Sequence, residues 1–248
     1  MNFYEIIAPH RSGHHSMMNW LIRNLSGNQC TWEYKMNIIS DGMYQLNCAN
    51  HNIDDSLKFY KEFKNDYKEL IVSYEDTFWD YTIFNNERVF KGKNSLNFLE
   101  NPLFNYQRIV FIRDFYNNLS SRIKANENEN FKSFRTGAVI QFDVAENFID
   151  RWKNNAKACL DNKSHFLKFE DWLNNKSKRE EFLYRVINNK EIYDNTGIIG
   201  THSSFGETKN LTDRISQINL PKNIKELISK DNELHYLIGK MGYEYREL

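Results

Sequence analysis

Excess charge of either sign is missing from this 248-residue chain, in which 33 Lys+Arg face 33 Asp+Glu. A general nucleic-acid binder needs surplus cations to neutralise phosphates, so that class is excluded, while a local anion site is not. Long apolar runs are also missing, and none approaches the roughly 20 residues needed to span a bilayer. The opening MNFYEIIAPHRSG is too short and too polar for a signal peptide, so a soluble, cytoplasmic protein is expected. Cysteine is scarce: Cys30, Cys48 and Cys159 are odd in number, widely spaced and never arranged CxxC, which argues against a disulfide framework and a thiolate metal site. With only 3 Pro and 10 Gly, and aromatics at 15%, the composition is that of a chain that folds throughout. Repeats, low-complexity tracts and linkers are absent, so one domain over residues 1–248 is expected.

What is present alternates. Residues 3–8 (FYEIIA) form an apolar run that ends in a Gly/Ser/His turn, and Met17, Met18, Leu21, Ile22 and Leu25 then recur at helical spacing. Residues 69–74 (ELIVSY) and 107–112 (QRIVFI) read as buried parallel strands, the second followed by a helix from near Phe115. Apolar positions from Phe142 through Ala145, Ile149, Trp152, Ala156 and Cys159 to Leu160 step by three and four, which predicts a helix over 142–160. A short strand at 165–169, a charged helix from about 176 to 189, a loop at 194–210 and helical faces from Ile224 to Ile238 complete the chain. Strand–helix alternation predicts an α/β fold, a single domain with a central parallel sheet flanked by helices. Ligands of such sheets sit at the carboxyl ends of the strands.

Two motifs fall at such ends. In Pro9-His10-Arg11-Ser12-Gly13-His14-His15-Ser16, a strand-to-helix turn aims backbone N–H groups and the positive helix end at one spot, which suits a phosphate or sulfate. Arg11 adds a charged fork, His14, His15 and Ser16 add donors, and Gly13 permits close backbone approach. The triphosphatase pattern GxxxxGK[ST] is absent, so ATP is a poor ligand candidate. His10, His14 and His15 lack an accompanying Glu or a further His/Cys cluster, and zinc is not expected. In RIVFIRDFYNNLSSRI, Arg113 ends a strand and Ser121 follows eight positions on in the next helix, an arrangement suited to a second phosphate. A plain helix-capping turn in the first case and an Arg113–Asp114 surface pair in the second are the structural alternatives.

The combination resembles the PAPS-dependent sulfotransferases, with a P-loop-like sulfotransferase-type fold, whose first loop reads approximately PKSGTTW or PRSGTT and whose later segment reads R-D-P with a Ser eight residues after the Arg. The resemblance implies that Arg11, Ser12, Gly13, His14, His15 and Ser16 hold the 5′-phosphosulfate of 3′-phosphoadenosine 5′-phosphosulfate (PAPS), and that Arg113 and Ser121 hold its 3′-phosphate. Phe169-Glu170-Asp171-Trp172 is similar to the family's Tyr-Glu-Asp segment, whose aromatic lies by the adenine. Ser203-Ser204-Phe205 is similar to its Thr-Ser-Phe cofactor segment. The four matches occur in order over residues 9 to 205. His14 and His15 stand where the family has Thr-Thr, and Phe115 stands where it has Pro. No Arg-Lys-Gly segment follows 203–205, although Lys209 and Arg214 do.

The activity implied is sulfuryl transfer from PAPS to a hydroxyl or amine, releasing 3′-phosphoadenosine 5′-phosphate (PAP), with Arg11 and one of His14 and His15 neutralising the leaving oxygen and no metal required. A base must take the acceptor's proton. Glu75, after the strand ELIVSY, is the first choice. Glu33 in CTWEYK, the neighbouring Asp76 and His51 are the others. The acceptor class stays open among small metabolites, lipids, saccharides and peptides. Trp32, Tyr34, Tyr44, Phe78, Trp79 and Tyr81 suit either an acceptor site or a core. A non-catalytic nucleotide-binding protein of the same fold and a P-loop nucleotide kinase are the competing readings.

Overall fold

The structure is a computed structural model that describes residues 2–26, 36–39, 69–75, 105–127, 139, 141–161, 164–188, 193–194 and 214–248. Five strands make one sheet: β1 (Asn2–Ala8), β2 (Met36–Ile39), β3 (Glu69–Glu75), β4 (Asn105–Ile112) and β5 (His165–Lys168). Their spatial order is β2-β3-β1-β4-β5 and every pairing is parallel. The expected α/β architecture is therefore present, and β2 is an addition. MNII is too short to display a period of its own.

Seven α-helices are described: α1 (His14–Leu25), α2 (Phe115–Asn126), α3 (Glu146–Leu160), α4 (Phe169–Asn174), α5 (Lys176–Ile187), α6 (Lys222–Lys230) and α7 (Asn232–Lys240). They cover both faces of the sheet. On one face, Tyr4, Ile6 and Ala8 of β1 pack with Trp20 and Leu21 of α1, Trp172 of α4 and Phe182 of α5. On the other, Val110 and Ile112 of β4 pack with Phe115, Phe148, Trp152 and Ile238 from α2, α3 and α7. Adjacent strand residues point to opposite faces, so the consecutive apolar residues Ile6–Ala8 of β1 and Ile109–Ile112 of β4 are what a sheet covered on both sides requires.

Three boundaries depart from the sequence reading. The helix expected over 142–160 begins at Glu146. Phe142 is held out of it by Asn126, whose amide donates to Phe142 O at 2.8 Å and accepts from Phe142 N at 2.7 Å. Arg122 also ties Asp143 O, and the Asp143 carboxylate accepts the Ala145 N–H. The strand expected at 165–169 stops at Lys168 because Phe169 opens α4, whose first turn carries Glu170 and Asp171. Acidic side chains there complement the positive end of the helix dipole. The helix expected to reach 189 ends at Ile187, and Asn188 closes it at φ 50°, a left-handed position that Asn tolerates.

β1 leads back toward β3 on one side, whereas β4 leads on toward β5 on the other. The crevice between the carboxyl ends of β1 and β4 is thus the point where the winding reverses, the usual ligand position in open α/β sheets.

Candidate functional site

At that crevice the chain leaves β1 through Pro9 and turns twice in the left-handed region, at Arg11 (φ 65°) and at Gly13 (φ 83°). A non-glycine residue in this region costs about 1–2 kcal/mol, so the Arg11 conformation must be held by its surroundings. Arg113 Nη1 donates to Arg11 O at 3.3 Å, Arg122 Nη2 donates to His10 O at 3.2 Å, and Ser12 N donates to Pro9 O at 3.2 Å. Phe142 packs edge-on to the His10 ring, and its own ring lies 5.9 Å from the Arg11 guanidinium.

Gly13 serves a second purpose. A Cβ built there would lie 2.4 Å from Phe169 Cε2, so the absence of a side chain lets the loop rest on that ring. Phe169 is only 2% exposed, and its face also carries the Arg113 guanidinium at 4.6 Å. It forms the floor beneath both motifs.

α1 starts directly after this loop with no side-chain cap on its first turn. A helix N-terminus carries the positive end of the helix dipole, which suits an anion. Ser12 Oγ is fully buried and makes no hydrogen bond, an orphaned donor and acceptor at the same place. His14 and Ser16 are buried beside it. His15 occupies the second position of α1.

The second half of the site is built on α2. Asp114 caps this helix by accepting the Asn117 N–H at 2.9 Å, and residues 115–123 are buried without interruption, polar ones included. A helix that buries its polar face presents it to something polar. Ser121 Oγ accepts Arg11 Nε at 3.4 Å and Arg214 Nη1 at 3.3 Å. Arg214 is itself fixed by its N–H on Asn117 Oδ1 at 2.8 Å. Arg113 and Arg214 are 3% and 4% exposed. Burial, followed by the nearby Arg113 and Arg11 charges, pushes the Arg214 pKa down to about 9. Burial lowers the Arg113 pKa too, against the pull of Glu170 and Asp114. Two buried cations beside the half-buried Arg11 favour a multiply charged anion in their midst.

The structure thus brings together Arg11, Ser12, Gly13, His14, Ser16, Arg113, Ser121 and Phe169. Glu75 lies at the end of β3, its Cα paired with that of Ala8 at the end of β1, one residue before the loop. Glu33, His51, Asp76, Ser203, Ser204 and Phe205, together with Trp32, Tyr34, Tyr44, Phe78, Trp79 and Tyr81, lie outside the described residues. Sequence reasoning missed Arg214, Arg122 and Glu170 as site residues. Arg214 carried a faint signal as a basic residue after 203–205, Glu170 lies within Phe169-Glu170-Asp171-Trp172, and Arg122 lies within RIVFIRDFYNNLSSRI. Among the described residues no group of three or more His, Cys, Asp or Glu side chains is placed to hold a metal ion, and no helix is long and apolar enough to cross a membrane.

Along nearly its whole length the chain is similar to two solved sulfotransferases and a retinol dehydratase. The sulfotransferase domain from the curacin biosynthetic pathway is 13% identical, with 98% of each chain covered and a TM-score of 0.47. A mouse sulfotransferase complexed with PAP is 12% identical over 96% of this chain and 89% of that one, at a TM-score of 0.49. Retinol dehydratase in complex with androsterone and inactive cofactor PAP is 12% identical over 99% and 83%, also at 0.49. No family model and no curated protein matches the sequence.

Proposed function

We propose that this chain is a PAPS-dependent sulfotransferase that moves a sulfuryl group to a hydroxyl or amine of an acceptor. The observation that carries the reading is the convergence of Arg11 and Arg214 on the Ser121 hydroxyl, with Arg113 bonded to the Arg11 carbonyl, beside an uncapped helix N-terminus. That is an arrangement for two anionic groups a few ångströms apart, one at the loop and one at Ser121. A nucleotide bearing a 5′-phosphosulfate and a 3′-phosphate has this charge pattern, whereas a triphosphate would meet no Walker lysine. The orphaned Ser12 hydroxyl fits an oxyanion against the loop.

In this reading the loop N–H groups, Ser12, His14, His15 and Ser16 bind the phosphosulfate, and Arg113, Ser121 and Arg214 bind the 3′-phosphate. Phe169 supports both from below. The acceptor oxygen or nitrogen attacks sulfur in line, the sulfur–oxygen bond to the 5′-phosphate breaks, and Arg11 with a histidine of the loop stabilises the departing oxygen. Glu75 takes the acceptor's proton. The acceptor is a small molecule, saccharide or peptide, and the compartment is cytoplasmic.

Calorimetric titration with PAP, with AMP and ATP as controls, tests the cofactor assignment. PAP and AMP differ only in the 3′-phosphate, so PAP binding roughly 10- to 150-fold tighter is expected from a charge-assisted contact of about 1.5–3 kcal/mol. Equal binding of all three would sink the proposal. Binding of PAP with no transfer from PAPS across an acceptor panel would favour the non-catalytic nucleotide-binding protein instead.

A further inference from the structure

Beside Arg113 stands a carboxylate, Glu170, that the proposed reaction itself does not use. Glu170 Oε1 accepts the Asp114 N–H at 3.2 Å and lies 4.0 Å from Arg113 Nε, while Oε2 accepts the Tyr243 hydroxyl at 3.0 Å. Tyr243 comes from the segment after α7 and is fixed in turn. Its N–H donates to Ile238 O at 3.0 Å, and Lys168 Nζ sits 5.1 Å over its ring while donating to Met241 O at 3.2 Å. The turn that brings it there passes through Gly242 at φ 72°. The end of β4, the start of α4 and the segment after α7 therefore meet at one side chain.

We infer that Glu170 is a positioning residue for Arg113, and that Tyr243 positions Glu170. This rests on the reading of Arg113 as a ligand of the 3′-phosphate. A carboxylate beside a cation that must meet a dianion works against binding if it neutralises that cation. The contact here is a single 4.0 Å approach rather than a two-pronged pair, and the Tyr243 hydroxyl draws negative charge to the far oxygen. The long Arg113 side chain is held on Phe169, Arg11 O and Glu170. Ordering a flexible guanidinium before the ligand arrives removes that entropy loss from binding.

The alternative role, a mere counter-charge, predicts the opposite sign. PAP and AMP are titrated into wild type, Glu170→Ala, Glu170→Gln and Tyr243→Phe, and the ratio of their affinities isolates the 3′-phosphate contact. A positioning role predicts that the ratio falls about tenfold in Glu170→Ala and about threefold in Tyr243→Phe, and returns to within about twofold of wild type in Glu170→Gln, which keeps an acceptor for Asp114 N. AMP affinity stays near wild type throughout. An unchanged or increased ratio in Glu170→Ala overturns the inference, as does equal weakening of PAP and AMP. If Glu170→Ala does not fold, Tyr243→Phe, which deletes one hydroxyl and no charge, decides by the same ratio. A wild-type ratio of one removes the sulfotransferase reading itself, which is a different failure.

Discussion

Arg214 donates from Nη1 to the Ser121 hydroxyl at 3.3 Å across 93 positions of sequence, on the oxygen that also accepts Arg11 Nε. A hydroxyl that gathers two guanidinium groups marks the centre of positive charge. Removal of Arg214 or Arg113 is expected to weaken PAP binding by about 1.5–3 kcal/mol each, roughly 10- to 150-fold, with AMP binding changed far less. The loss should shrink as salt rises only weakly, since both side chains are buried and poorly screened. Parallel calorimetry of PAP and AMP on the two alanine variants checks this, and equal losses for both ligands would contradict the assignment.

Gly13 meets two constraints at once, a left-handed backbone and a 2.4 Å approach to the Phe169 ring. Alanine there adds the strain of positive φ to an overlap that the ring must escape, together about 2–4 kcal/mol. At about 2–4 °C per kcal/mol for a chain of this size, Gly13→Ala should lower Tm by roughly 5–15 °C and weaken anion binding at the loop. Adding Phe169→Leu removes the overlap but not the strained φ. Thermal melts of the double variant should therefore recover only part of the loss, and full recovery would mean that φ strain is not felt.

Arg122 is fully buried and spends its guanidinium on three separate acceptors: Asn118 Oδ1 at 3.1 Å, Asp143 O at 3.0 Å and His10 O at 3.2 Å. It thereby joins α2, the segment before α3 and the loop after β1. Arg122→Met keeps most of the volume but orphans those acceptors, at a cost of about 3 kcal/mol in urea unfolding. Arg122→Lys should do little better, because an ammonium cannot fork toward acceptors in three directions. A midpoint within error of wild type for Arg122→Met would show that water replaces the guanidinium without penalty.

How much of this was legible beforehand follows from the range of each interaction. β1, β3 and β4 are buried on both faces, so their apolar runs announced themselves, and the loop after β1 and the Arg113/Ser121 pair lie within local segments of fixed spacing. The start of α3 was misread because Phe142 and Ala145 share its apolar stripe, while their backbone is claimed by Asn126, Arg122 and Asp143. Arg214 reaches Ser121, and Tyr243 reaches Glu170, only through the fold. Nothing in the spacing of those residues could report it. Phe169 illustrates a middle case: its motif was visible, but that it floors Gly13 and Arg113 was not.

Burial raises the Glu170 carboxyl above its ordinary value, with Arg113 pulling the other way and Asp114 adding to the rise. The folded state therefore holds this proton to higher pH than the unfolded state does, so the group's contribution to stability falls as pH rises through the window between the two values. Glu170→Gln does not titrate. Melts of both proteins from about pH 4 to pH 8 should show wild type losing ground to the variant as pH rises just above the usual glutamate range. A gap that widens in favour of wild type over that interval would mean that the Arg113 attraction outweighs burial.

The proton acceptor is the remaining element of the proposed reaction, and position argues for Glu75. Its Cα pairs with that of Ala8, and Ala8 leads through Pro9 into the loop that would hold the phosphosulfate. A group at the carboxyl end of β3 therefore borders the crevice on the side opposite β4. Glu75→Gln keeps the size and hydrogen-bonding capacity but cannot take a proton at neutral pH. A positioned base contributes on the order of a hundredfold or more to rate, so transfer from PAPS should be lost by that factor while PAP affinity stays within about twofold of wild type. Comparison of sulfuryl transfer and PAP calorimetry on the one variant separates the two quantities. Unchanged transfer would move the base to Glu33, and a matching loss of PAP affinity would mean that Glu75 shapes the cofactor site instead of the proton path.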